Sequence, residues 1–162
     1  VVGVLGMLVY ALAQLMLAKN VRVDLGLMAT ALVFGFLLDG ALIRSGLAGY
    51  AAGWPGLALA PAPAWILALW ITFSLTFSQS LRYLQQRLWL AALLGLVGGP
   101  LAYLGAARGW HVVSFAEPAW RALLVLAIGW ALATPALGWL ARRGEVTQRA
   151  DAGRNPVRGV SS

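Results

Sequence analysis

Five times along its length this chain enters an apolar run long enough to cross a lipid bilayer. A helix of about 20 residues spans the hydrocarbon core, within a range of roughly 17–25. The runs are Val1 to Ala18, Leu25 to Ile43, Ala64 to about Leu84, Leu88 to about Ala107, and Ala119 to Ala141. Only Asp39 interrupts the second. Hydrophobic residues make up 61% of the chain and charged residues 10%, against about 45–50% and roughly 25% in soluble domains. A soluble domain of 162 residues leaves too large a share of its chain exposed to hide that much apolar surface. Lipid must be the solvent for much of it. The expected fold class is all-α: a polytopic transmembrane bundle of about five spans over residues 1–143. A polar, basic tail over 144–162 follows, rich in turn formers and expected to be disordered.

The same composition narrows the chemistry. No cysteine is present, so disulfides and thiolate chemistry are excluded. With His111 as the only histidine, a histidine-rich metal site within the chain is not expected either, and no cofactor is implied. The net charge of +7 does not point to nucleic acid, because no basic face with base-stacking aromatics can be drawn. The cations sit instead at the ends of apolar runs and in the tail. Lys19, Arg22, Arg82, Arg87, Arg142, Arg143, Arg149, Arg154 and Arg158 fall on one side of the bundle, and Arg44, Arg108 and Arg121 on the other. Cytoplasmic loops carry the excess of lysine and arginine. That places the C-terminus in the cytoplasm and, with an odd number of spans, Val1 outside. Lys19 follows the first apolar run instead of preceding it, which is not the signal-peptide pattern. A further segment upstream of Val1 is expected.

Between the second and third spans, Ser45 to Pro63 holds Gly46, Gly49, Gly53, Pro55, Gly56, Pro61 and Pro63. These residues break helices, yet Leu47, Tyr50, Trp54, Leu57 and Leu59 keep the stretch greasy. It reads as an interfacial loop with Tyr50 and Trp54 in the headgroup belt, or as a re-entrant cap over a cavity.

Several polar groups sit where lipid makes them expensive. A carboxylate within a span costs roughly 2.5–3.5 kcal/mol on insertion scales and usually faces the bundle interior with a partner. Asp39 lies about 21 Å along the helix from Leu25, at about 1.5 Å per residue, on the side of Arg44, Arg108 and Arg121. It is either a structural charge, paired or wetted there, or a carboxylate that handles a ligand or proton. Thr72, Thr76 and Ser80 recur every fourth residue, with Gln79 three beyond Thr76, so they share one helix face. Hydroxyls there serve as interhelical hydrogen bonds or line a polar cavity. Ala91, Gly95 and Gly99 form a small-residue face that lets a neighbouring backbone approach closely, with Gly98, Ala102 and Ala106 beside it. Pro100 removes a backbone hydrogen bond and opposes the Leu96 carbonyl, so a kink is expected. With Gly98 and Gly99 adjoining, it is a packing kink or a break lining a cavity. Asp39, Thr72, Thr76, Gln79, Gly98, Gly99, Pro100 and Tyr103 together make the candidate polar cavity. Arg44, Arg108, His111, Glu117 and Arg121 make a candidate outer-side charge cluster. His111 and Glu117 have acid–base chemistry near neutral pH, but no nucleophile or orienting group accompanies them, and no catalytic residue is named.

Four segments carry a resemblance: Gly35-Phe36-Leu37-Leu38-Asp39, Pro63-Ala64-Trp65-Ile66-Leu67-Ala68-Leu69-Trp70, Ser80-Leu81-Arg82-Tyr83-Leu84, and Gly98-Gly99-Pro100-Leu101-Ala102-Tyr103. Together they resemble a bacterial domain-of-unknown-function family of small multi-pass inner-membrane proteins. The resemblance runs from the first span through the fifth. It implies one more N-terminal helix than the chain shows, and with it a cytoplasmic N-terminus. It also implies genes beside those of cyclopropane-fatty-acid-synthase-like enzymes, and so a link to membrane-lipid metabolism. Where that family often has a histidine before the serine, this chain has Gln79. The expected role is an accessory or partner-binding membrane component whose partners are lipids and other membrane proteins. The alternatives are a small transporter or flippase-like protein built on the polar cavity, and an intramembrane lipid-modifying enzyme.

Overall fold

In the computed structural model, the described residues are 2–16, 21–51, 62–79 and 81–154. They form, in order, α1 (Val2–Met16), α2 (Val21–Arg44), β1 (Ala48–Tyr50), α3 (Ala64–Gln79), α4 (Arg82–Gln86), α5 (Leu88–Trp110), β2 (Val113–Phe115) and α6 (Trp120–Arg154). The chain is therefore mostly helical. Three helices are long and apolar enough to cross a membrane: α2, α5, and the Trp120–Gly144 part of α6. Their outward faces carry Val33, Phe36 and Leu37, then Leu93, Val97 and Leu101, then Leu124, Ile128 and Leu132, all exposed. Such rows are what lipid, not water, would cover. Of the five expected spans, α1 and α3 are shorter, with 15 and 16 residues.

The third apolar run departs from the expected helix over 64–84. α3 stops at Gln79, the Leu81 N–H turns back to the Thr76 carbonyl at 2.9 Å, and α4 is a separate short turn. A helix end leaves its last carbonyls without intrahelical donors. Here the buried side chain of Gln85 donates to the Phe77 carbonyl, so α4 caps the helix that precedes it. Arg87, with φ −129° and ψ 70°, then breaks the chain again before α5.

At the other end of the bundle, α2 and α5 both terminate in a left-handed residue. Gly46 has φ 68°, and the Gly46 and Leu47 N–H groups bond the Ile43 and Leu42 carbonyls, a Schellman-type close. His111 has φ 52° and donates its backbone N–H to Ala106. The two departing segments meet as antiparallel strands with Ala48 opposite Phe115, Gly49 opposite Ser114 and Tyr50 opposite Val113. Bonds from Ala51 to Val112 (2.9 Å) and from Ala116 to Leu47 (3.0 Å) extend the ribbon at both ends. Residues 48–50 of the stretch expected to be an interfacial loop are thus a strand of this ribbon. Trp54 lies outside the described residues.

α5 and α6 make the most extensive helix contact. Ala91, Gly95 and Gly99 are the buried face of α5, and a methyl at Gly95 would collide with the Trp130 carbonyl. The backbones touch because glycine leaves them room. Thr134 adds a hydroxyl within 2.6 Å of the Ala91 carbonyl and 2.8 Å of its own Trp130 carbonyl. α5 continues as helix through Pro100, and α6 through Pro135, so neither proline opens a break. α6 also passes the boundary expected at Arg143 and continues to Arg154. Gly144 is packed against Val23 of α2, which holds the helix past its apolar run. Residues 155–162 of the tail lie outside the described residues.

Candidate functional site

Asp39 stands in the last two turns of α2, five residues before Arg44, and is fully buried. Its position follows from the i, i+4 geometry of α2: Gly35 and Asp39 lie on one face. A methyl at Gly35 would strike the Trp70 ring, so glycine is what lets the indole of α3 lie flat against α2. Seated there, Trp70 donates its indole N–H to Asp39 Oδ2 at 2.8 Å.

α5 repeats the device. Gly99 and Tyr103 are again i, i+4, and a methyl at Gly99 would strike the Trp130 ring. Trp130 stacks on Trp70 with ring centroids 4.1 Å apart and planes 12° from parallel. Phe73 meets the Trp130 ring edge-on at 5.0 Å. The two indoles are thus held between two glycines, one on each flanking helix. One turn beyond its glycine, Tyr103 donates its hydroxyl to Asp39 Oδ1 at 2.7 Å.

The third donor comes from the ribbon. Tyr50, at the end of β1, donates its hydroxyl to the same Oδ1 at 2.6 Å. Its ring sits between Trp65 (6.1 Å) and the Tyr103 ring, which it meets edge-on at 6.3 Å. Trp65 in turn donates to the Ala51 carbonyl at 3.2 Å. Burial, reinforced by the Asp39 carboxylate, pushes the Tyr50 phenol up from its ordinary value, so it remains a proton donor. A carboxylate accepts only, and hydrogen bonds to a charged acceptor are among the strong ones. Asp39 therefore ties three separate elements, β1, α3 and α5, to α2 through one side chain.

One donor beside this cluster is not used. The Trp130 indole N–H is buried and has no hydrogen-bond partner among the described residues. It faces the Tyr103 hydroxyl, whose oxygen keeps lone pairs to accept with while its own proton goes to Asp39.

The structure brings together only part of the candidate cavity. Asp39, Gly99 and Tyr103 converge. Thr72 and Thr76 do not join them: their hydroxyls return to the Ala68 and Phe73 carbonyls of their own helix, on turns that face away from the Trp70 side. Gly98 meets open space, with Leu94 its nearest neighbour at 4.0 Å, and α5 stays helical through Pro100. The side chain of Gln79, and Ser80 entirely, lie outside the described residues. In the second group, Arg44, Arg108, His111, Glu117 and Arg121 share one end of the bundle and are all exposed. Among the described residues no ion pair joins them, and none reaches Asp39, whose partners are two phenols and an indole instead of an arginine. His111 serves the backbone, as the left-handed close of α5. Arg121 lies over the Trp120 ring at 5.8 Å.

Tyr50, Trp70 and Trp130 were not among the candidate residues. The available signal was the doubled Gly-x-x-x-polar spacing, Gly35/Asp39 and Gly99/Tyr103, which marks two helices each seating a large ring next to a polar group.

Those two spacings fall inside the stretch that assigns the chain. The chain belongs to the DUF2878 family. The family is described as a protein of unknown function, and its match covers residues 1–136. No curated protein and no solved structure matches the chain. The DUF2878 match takes in the whole Asp39 cluster and ends just after Pro135.

Proposed function

We propose that this chain is a non-catalytic integral membrane protein, an accessory or partner-binding component of membrane-lipid metabolism. In this reading it sits in a bacterial inner membrane with five spans, α1 and the α3–α4 pair completing the three full-length helices. The end bearing Arg22, Arg87, Arg142 and Arg143 faces the cytoplasm, in keeping with the cation bias. The observation that carries the non-catalytic reading is the engagement of Asp39. Its two oxygens are met by three donors from three elements, the geometry of a fastener and not of a group held ready for substrate. The lipid connection is supported by the gene company that the resemblance implies.

The test is affinity capture of the intact protein in mild detergent, with lipid profiles of deletion and complemented strains. Recovery of a discrete membrane partner and an altered acyl composition are expected. Absence of both would overturn the proposal.

A transporter-like reading has one observation in its favour, the unpartnered Trp130 N–H next to a buried carboxylate. It requires a route from solvent to Asp39. Cysteine accessibility at position 103 in the intact protein tests for one, and labelling there by a membrane-impermeant reagent would favour transport over the accessory role.

A further inference from the structure

We infer that the groove at the end of α6 opposite the Asp39 cluster binds the phosphate of an anionic glycerophospholipid headgroup. The groove is a shallow, open strip of about 560 Å³ along one face of α6, lined by Trp139, Arg142, Arg143, Val146 and Thr147. The Arg143 guanidinium lies 3.8 Å from the centre of the Trp139 ring. Stacking of this kind fixes the plane of the guanidinium and leaves its edge N–H groups free to donate, the arrangement suited to a phosphate. Arg142 lines the same groove, and no carboxylate pairs with either arginine among the described residues. Asp24, the nearby acidic residue of α2, is buried in the bundle.

Position selects the source of the phosphate. The part of α6 able to cross a membrane ends at Gly144, so Trp139 and the two arginines stand at its boundary, with Val146 and Thr147 just beyond. That is the depth of lipid phosphates, where tryptophan and arginine anchor membrane proteins. Neighbouring elements add to the field. Val23 of α2 packs on Gly144, and Gln85 of α4 lies beside Gly138, which brings exposed Arg22 and Arg87 to the same end. Arg87 repeats the aromatic pairing, 5.0 Å over the Tyr83 ring. The groove lies beyond the residues of the family match, and its assignment is independent of whether the protein recruits a partner.

The intact protein in detergent, titrated with phosphatidylglycerol or phosphatidylethanolamine and read by native mass spectrometry, tests the site. Phosphatidylglycerol is expected to bind preferentially. With about 1 kcal/mol per arginine near a headgroup, R142Q and R143Q should each weaken it about fivefold and the double variant about thirtyfold. R108Q, at the opposite end, should leave it unchanged. W139L, which removes the ring and keeps both charges, should lower affinity less than R143Q. Equal binding of the two lipids, or a double variant that binds like the parent, would overturn the proposal. So would displacement of phosphatidylglycerol by excess inorganic phosphate, which would assign the groove to a soluble anion.

Discussion

The two ends of the bundle handle charge in opposite ways. At the ribbon end a single carboxylate is enclosed, met by three donors and fully buried. At the other end arginines stand exposed over aromatic rings, Arg143 on Trp139 and Arg87 on Tyr83. Enclosure makes Asp39 costly to alter, because every donor aimed at it loses its acceptor together. Exposure makes the arginines cheap to alter for stability and informative for binding. The contrast teaches that in this chain the charge that holds the fold and the charge that meets the surroundings are separate residues.

The sharpest way to break the contrast is Asp39→Ala. Two buried donors and one half-buried one would be left unsatisfied, each at about 1–3 kcal/mol, so a loss of at least about 3 kcal/mol is expected in reversible unfolding from mixed micelles. A loss below about 1 kcal/mol would mean that the carboxylate is not a fastener. Gly95→Ala comes next. The added methyl meets a backbone carbonyl that cannot rotate away, and overpacking of this kind costs typically 1–3 kcal/mol. The same assay should show the upper part of that range, while Gly98→Ala, which meets nothing closer than 4.0 Å, should be neutral.

Tyr103→Phe and Tyr50→Phe separate the members of the cluster. Each removes one hydroxyl and should cost about 1 kcal/mol, since polar contacts within membrane bundles average about 0.6 and reach about 1.7. They should differ in hydrogen exchange: Tyr50→Phe should raise exchange across residues 48–51 and 112–116, whereas Tyr103→Phe should leave the ribbon protected. Equal patterns would remove the distinction between ribbon and helix. The smallest effect is expected at His111→Gly, within about 0.5 kcal/mol, because glycine accepts the left-handed backbone at least as well. A loss of cellular function with unchanged stability would show that the imidazole does more than end a helix.

Much of the helical frame was legible from hydropathy. The spans expected at 25–43 and 88–107 lie inside α2 and α5, and Ala91, Gly95 and Gly99 form the close-packed face that their spacing suggests. Legibility fails where contacts are distant or where one side chain overrides a run. The ribbon has three-residue strands in a greasy, glycine-rich stretch, so no alternation could announce it, and its pairing depends on two helix ends far apart in the chain. The α3–α4 break falls within an apolar run and is secured by Gln85 reaching Phe77, a contact that hydropathy does not register. Asp39 stood out as costly, but charge suggested an arginine partner. Aromatic donors satisfy the same carboxylate, and their hydrocarbon bodies are at home in lipid.

The order of the donors along the chain bears on how the protein is made. Tyr50, Trp70 and Tyr103 all follow Asp39, the last by 64 residues. At about 5–20 residues per second, the ribosome needs several seconds to deliver that final phenol. During that interval the carboxylate of α2 can meet only the donors already made. Biogenesis of this protein therefore has a defined vulnerable window, which closes when α5 arrives.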